Sequence, residues 1–356
     1  MHVERLSSLL INEGYEVTAM VDPDSPLAQR LKQKSVPLYP IKEGGYIRPL
    51  TAARVHSFFI GNRADIVHVH YSRDLWWVVP ALRGKPNVPV ILTKHVGTLM
   101  KKKDKFHQHL YERVQRIIAI SEVIRQNIID THPVPPEKVV TVHHGIDVDR
   151  FDPRRYCKAS SKEKMGFQKD DFLIGLVGRL QFAKGYGEFL HMAAKLKPEF
   201  PRCRFVMIGE ATHGEPEEAE RILHLVETLN LQDVVVWLGY QEDIPAVLSA
   251  LDLFVFPSHA EAFGMALIEA MAMGLPVVAS NCDGVLDIIE HQHSGILVPA
   301  KDVQQLSAAV ANLIRQPELR HKIAVNALER ARSYFNQTRM LKNIKDIYAK
   351  ALLELN

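Results

Sequence analysis

Glu261 and Glu269 stand eight residues apart in SHAEAFGMALIEAMAMG (258–274), directly after the apolar run LFVFP. That run reads as a buried strand, so Glu261 falls in the loop behind it. A helix starting near Gly264 then carries Glu269 in its second turn. Helical side chains lean toward the amino terminus, which lets Glu269 reach back toward the strand's end. The N–H groups of Phe263, Gly264 and Met265 form the opening turn, where free donors and the helix dipole favour an anion. Gly264 leaves room for a ligand against the backbone. Together these offer carboxylates for hydroxyl groups and amides for negative charge. Glutamates at this spacing are common on surface helices. Glu269, however, lies among Leu267, Ile268, Ala270 and Met271, and a carboxylate in so apolar a helix needs a partner.

A second group of charges lies in VGRLQFAKG (177–185). Arg179 follows the terminal glycine of another apolar strand, and Lys184 comes five residues later, just before a helix. A diphosphate leaving group needs neutralising, and an Arg–Lys pair does this without a metal, Arg by forked hydrogen bonds and Lys as a point charge. Alone, this would read as a solvated basic loop; beside the glutamate segment it reads as an anion site. His68 and His70 alternate on DIVHVHY and share one face. Two imidazoles without a third ligand read as structural rather than metal-binding. Asp-x-Asp occurs at Asp22/Asp24 and Asp147/Asp149, remote from the glutamates, and chance accounts for both. No metal and no cofactor is expected.

The elements that position these groups alternate. Strands are predicted at Phe172–Gly178, Arg204–Gly209, Val234–Gly239, Leu253–Pro257 and Pro276–Ser280. Helices at Tyr186–Phe200, Pro216–Asn230, Ile244–Ala250 and Gly264–Met273 separate them, and a helical tail runs from Asp302 to Leu355. Such alternation implies right-handed crossovers and a parallel sheet. The first half repeats it, with strands at Glu16–Val21, Val36–Ile41, Asp65–Tyr71, Pro89–Lys94, Arg116–Ser121 and Lys138–His143. The expected organisation is a first α/β domain over 1–150, a linker over 151–170, a second α/β domain over 171–335, and a terminal helix over 336–356 packing back on the first domain. Ligands of open parallel sheets bind beyond the carboxyl ends of the strands. The chain opens on a helix, His2–Asn12, where a doubly wound domain normally begins with a strand and a glycine-rich turn. We expect Met1 to be a truncation or a misassigned start.

Composition narrows the function classes. The 356 residues carry 44 Lys and Arg against 41 Asp and Glu. The balance is uneven: residues 1–150 hold 21 basic and 15 acidic residues, the remainder 23 and 26. That basic bias suits phosphates or anionic lipid but not a dedicated nucleic-acid binder. Three isolated cysteines suit a reducing cytoplasm and give no zinc knuckle. Met100–Arg116 reads as a basic helix with Phe106, Leu110 and Val114 on one side. It either packs that stripe on the sheet or rests on anionic membrane at the inner face.

The glutamate segment, with AFG after Glu261 and EAMAMGLPVVAS from Glu269, resembles the retaining glycosyltransferases of family 4, which have the GT-B fold. IAISEVIRQNI (118–128), HHGIDVDRF (143–151) and SGILVP (294–299) extend the resemblance over nearly the whole chain. It implies two doubly wound, Rossmann-like parallel-sheet domains facing across a cleft. It also implies transfer of a sugar from a nucleotide-diphosphate donor to a glycan or lipid-linked acceptor. Glu269 would hold the ribose, Glu261 and the amides of Phe263, Gly264 and Met265 would contact the sugar and diphosphate, and Arg179 and Lys184 the diphosphate. His95, at the end of VILTKH, would face the donor sugar. His144-Gly145 and Asp283-Gly284 stand where the family commonly has Asn-Gly and Gly-Gly. Two other readings share the fold: a nucleotide-sugar 2-epimerase, and a binding protein impaired in turnover. A dinucleotide oxidoreductase lacks its third glycine, since Leu190 follows Gly185-Tyr-Gly187 at that place.

Overall fold

The computed structural model describes residues 2–42, 44–46, 48–211 and 214–355, which divide into two compact units, 2–144 with 338–355, and 145–337. The first unit runs α1 (His2–Asn12), β1 (Ala19–Val21), α2 (Pro26–Gln33), β2 (Leu38–Pro40), α3 (Pro49–Gly61), β3 (Val67–Val69), α4 (Leu75–Ala81), β4 (Val90–Lys94), α5 (Lys105–Glu112), β5 (Val114–Ala119), α6 (Glu122–Thr131) and β6 (Val139–Thr141). All pairings are parallel, in the order β3-β4-β5-β6, while β1 and β2 form a separate pair. Helices start where the sequence supplies caps. Ser121 accepts the N–H of Ile124, and Asp104 accepts those of Phe106 and His107, contacts worth about 1 kcal/mol each.

The second unit runs α7 (Lys158–Lys164), β7 (Phe172–Val177), α8 (Tyr186–Leu196), β8 (Cys203–Ile208), α9 (Pro216–Thr228), β9 (Val235–Trp237), α10 (Ile244–Ala250), β10 (Leu253–Phe256), α11 (Met265–Ala272), β11 (Val277–Ser280), α12 (Val285–Ile288), β12 (Ile296–Val298), α13 (Val303–Arg315) and α14 (Pro317–Tyr334). Its six strands are parallel, in the order β12-β11-β10-β7-β8-β9. β7 and β10 are therefore central neighbours, and the loops leaving them, which carry Arg179, Lys184 and Glu261, emerge side by side. The last helix, α15 (Gln337–Leu353), returns to the first unit from Thr338 onward. There Met340, Leu341, Ile344 and Ala351 pack with Leu6, Leu10, Ile91 and Ile118 in one core.

Two local expectations are corrected. The expected linker, 151–170, holds α7, whose Lys162 is buried and donates to Asp252 at 2.7 Å and to the carbonyl of Asp171 at 2.6 Å. Its order comes from a partner ninety residues away, which local periodicity does not register. The basic helix is also shorter than Met100–Arg116: only Lys105–Glu112 is helical, and Val114 begins β5. Leu110 is buried, but Phe106 is 74% exposed, so no apolar stripe packs along its length. Among the described residues no helix is long and apolar enough to cross a membrane.

Candidate functional site

The Lys184 and Glu261 loops touch because glycine permits it. Lys184 ends a 3₁₀ turn, Phe182–Lys184, and Gly185 follows with φ of 80°. A Cβ on Gly185 would collide with the carbonyl oxygen of Pro257, so only glycine lets this turn lie against the exit of β10. The N–H of His259 donates to the carbonyl of Ala183 at 2.9 Å, joining the two loops, and His259 Nε2 lies 2.9 Å from Glu188 Oε1. Across this junction Lys184 Nζ donates to Glu261 Oε2 at 2.6 Å, with both side chains about one-fifth exposed.

The turn Asp283-Gly284 grips the backbone of Glu261 from the other side. Asp283 Oδ2 accepts the N–H of Glu261 at 3.2 Å, and the N–H of Gly284 donates to the carbonyl of Glu261 at 2.9 Å. Asp283 has φ of 42°, a conformation aspartate tolerates. A Cβ on Gly284 would stand 2.5 Å from the carbonyl oxygen of Ala262. This role of Asp283 was not read from the sequence. The signal was there in the departure from Gly-Gly, since aspartate supplies an acceptor that glycine lacks. Beside it, the Cys282 thiol donates to the carbonyl of Ser258, and burial pushes it up to about 12, which keeps it protonated.

α11 begins at Met265, with Gly264 as its cap at φ of 114°. The N–H groups of Leu267 and Ile268 return to the carbonyl of Gly264, so the preceding amides of Gly264 and Met265 have no acceptor within the helix, the kind of helix start that can take an anion. Phe263 is 2% exposed and packs edge-on against Phe335 at 5.8 Å, so its ring belongs to the core and only its backbone can meet a ligand. Glu269 is half-buried in the second turn, while Arg179 is exposed beyond β7. The geometry provides a lysine balanced by a carboxylate, next to helix-end amides. An arriving phosphate can take the lysine and leave the carboxylate for hydroxyl groups.

In the first unit, His95 is the residue after β4 and His70 the residue after β3. With His2, His68 and His144 they form a continuous group of rings, with His2 4.5 Å from His144 and 5.0 Å from His95, and His68 4.2 Å from His70. Burial holds every one of them below the ordinary histidine range, His95 at about 4 and His68 and His144 at about 3. The expectation that His68 and His70 lack a third imidazole is corrected: His2 and His95 lie beside His70. Alternation along β3 reveals one strand's face, and the other rings come from distant elements. The two Asp-x-Asp sequences are turns, in which Asp22 accepts the N–H of Asp24 and Asp147 that of Asp149.

Comparison with known proteins follows this division. The family described as Glycosyltransferase Family 4 matches residues 1–150, and that described as Glycosyl transferases group 1 matches residues 158–330. The D-inositol 3-phosphate glycosyltransferase of Saccharomonospora viridis is 27% identical over 344 residues, spanning 89% of this chain and 78% of that protein. A glycosyltransferase from Rickettsia africae superposes with a TM-score of 0.89 at 21% identity, over 98% of this chain and 93% of its own. Anabaena HepE, solved with UDP, superposes with a TM-score of 0.84 at 21% identity, over 98% and 96%. It has also been solved with UDP-glucose.

Proposed function

Because the chain belongs to the family 4 type of glycosyltransferases, with family matches to both halves and the GT-B fold, we propose that it moves a sugar, with retention, from a nucleotide-diphosphate donor to a glycan or lipid-linked acceptor. The observation that carries this reading is the Lys184–Glu261 pair beside the amino terminus of α11. The bond from the anomeric carbon to the diphosphate oxygen breaks as the acceptor oxygen bonds to the same face. The acceptor's proton leaves with the departing phosphate. The transition state is oxocarbenium-like, as in other glycosyl chemistry. Arg179, Lys184 and the amides of Gly264 and Met265 stabilise the growing phosphate charge without a metal at the diphosphate. Glu269 takes the ribose hydroxyls, Glu261 the hydroxyls of the sugar, and His95 a further contact to that sugar. No protein nucleophile is required.

The UDP and UDP-glucose complexes of Anabaena HepE support a uridine donor. Calorimetric titration with UDP, GDP and ADP in EDTA tests the donor site. Saturable binding of one nucleotide, lost in Glu269→Ala and Arg179→Ala, supports the reading; equal binding by all three proteins overturns it.

We also propose peripheral contact with anionic membrane at its inner face through the segment 100–116 and the adjoining Leu99. Leu99, Met100 and Phe106 are exposed there among the exposed Lys101, Lys103 and Lys105. Co-sedimentation with phosphatidylserine vesicles, lost in Phe106→Ser, is the expected result. Equal sedimentation with neutral vesicles removes the idea.

A further inference from the structure

Three imidazoles from three separate elements converge in the first unit. β3 and β4 are hydrogen-bonded neighbours in parallel register, so His70 and His95, each just beyond its strand, leave the same end of the sheet. His2 opens α1 and brings the third ring. One ring nitrogen from each lies within 4.8 Å of the other two. The surrounding histidines show what an ordinary structural imidazole looks like here. His68 has both nitrogens engaged, Nδ1 2.6 Å from Tyr348 Oη and Nε2 2.7 Å from Thr93 Oγ1. By contrast, His2 Nε2 and His70 Nδ1 are buried and have no hydrogen-bond partner. A buried polar atom left unpaired costs about 1–3 kcal/mol, and the fold carries two beside a third imidazole.

We propose that His2, His70 and His95 form a site for one transition-series divalent cation, with Zn²⁺ the best-fitting probe. The donor set is all nitrogen with no carboxylate, which selects zinc, cobalt, nickel or copper over magnesium and calcium. The neutral imidazole is the ligating form, which histidine supplies at neutral pH and above. Zinc–nitrogen bonds of about 2.0–2.1 Å bring tetrahedral donors to about 3.4 Å from one another, so the rings need only small rotations to close. Three histidines leave a fourth position for water or a ligand oxygen. The cation ties the start of α1 to the ends of β3 and β4. Ligation through one nitrogen of His95 leaves its other nitrogen for a sugar, so this site is independent of the donor reading. The diphosphate residues lie in the second unit.

The test is Co²⁺ titration of the full untagged chain after EDTA stripping, followed through visible d–d absorption, with Zn²⁺ as competitor. One Co²⁺ per chain, with a tetrahedral band displaced by Zn²⁺ and a rise in Tm, is expected. Binding should be lost in His70→Gln and His95→Gln, with far-UV circular dichroism confirming their fold. His2→Gln, at a helix start, should weaken binding at least tenfold. His191→Gln, on the surface of the other unit, should leave it unchanged. No stoichiometric band in the native chain, or an undiminished band in His2→Gln and His70→Gln, overturns the site. The nucleotide titration is run in EDTA, so failure of either experiment leaves the other's answer intact.

Discussion

Lys184 Nζ sits 2.6 Å from Glu261 Oε2, so the cation proposed for the diphosphate is already occupied by the carboxylate proposed for the sugar. Donor binding must exchange this pair. Glu261→Gln therefore frees the lysine, and UDP affinity is expected to hold or rise up to about fivefold, the scale of a partly exposed ion pair. Transfer should fall about 10- to 100-fold, because a charged hydrogen bond to a sugar hydroxyl is worth about 1.5–3 kcal/mol. Lys184→Ala should instead weaken UDP. Calorimetry beside a donor-consumption assay separates the two; equal loss of UDP affinity in both variants means that the pair is only a strut.

Gly284 has an ordinary φ of −68°, so replacing it strains no backbone and tests space alone. A Cβ would sit 2.5 Å from the carbonyl oxygen of Ala262 and push the Glu261 loop away. Gly284→Ala should cost about 1–3 kcal/mol, the scale of overpacking, and weaken UDP with it. Gly187, inside α8, meets only the Phe182 ring at 3.4 Å. Gly187→Ala, in the first turn of α8, should leave UDP binding unchanged and hold or raise Tm, alanine being the better helix former. Equal behaviour of the two variants in thermal melts and titrations would refute the clamp.

Most strands of both units were legible because buried parallel strands are short apolar runs, and β7, β8 and β10 begin within a residue of the expected Phe172, Arg204 and Leu253. β12 was missed as a strand: three residues, Ile296–Val298, gain that state only by pairing with β11. α7 was missed because Lys162 is ordered by Asp252 across the fold. Phe106 was given a buried alternative by helical spacing, which cannot tell that the helix starts at Lys105 with this ring outward. At the candidate site the charged residues were legible as types, but Asp283 and His2 act through contacts that no local pattern carries.

Asp252 accepts hydrogen bonds from Lys158 at 2.8 Å, Lys162 at 2.7 Å and the N–H of Leu173 at 2.9 Å. Burial would raise its carboxyl, but the two lysines and the amide hold it below the usual aspartate value. Asp252→Ala leaves Lys162 buried without its counter-ion, and breaking such a pair costs about 3–5 kcal/mol. The double variant Asp252→Ala with Lys162→Met should recover at least half of that loss in urea unfolding. A single variant within about 0.5 kcal/mol of the native chain would show that the pair contributes little.

His132 gives the first unit an acid sensitivity of definite sign. Its ring is 1% exposed and packs against Tyr111 at 5.0 Å, Thr131 meets its Nδ1, and its Nε2 has no partner. Burial, with Lys94 and Lys102 nearby, lowers it to about 3. An unfolded histidine titrates near 6.5. Above that value both states are neutral and the group adds no pH dependence. Between about 6.5 and 3 only the unfolded chain takes up the proton, so stability falls as pH falls, by about 1.4 kcal/mol per unit for this one group. His2, His68, His70, His95 and His144 are lowered too, so the native slope exceeds one proton, and only the difference from a variant isolates His132. His132→Gln should lose about 1.4 kcal/mol less than the native chain between pH 7.5 and 5.5 in urea unfolding. Identical losses would mean that His132 takes its proton in the folded state without cost.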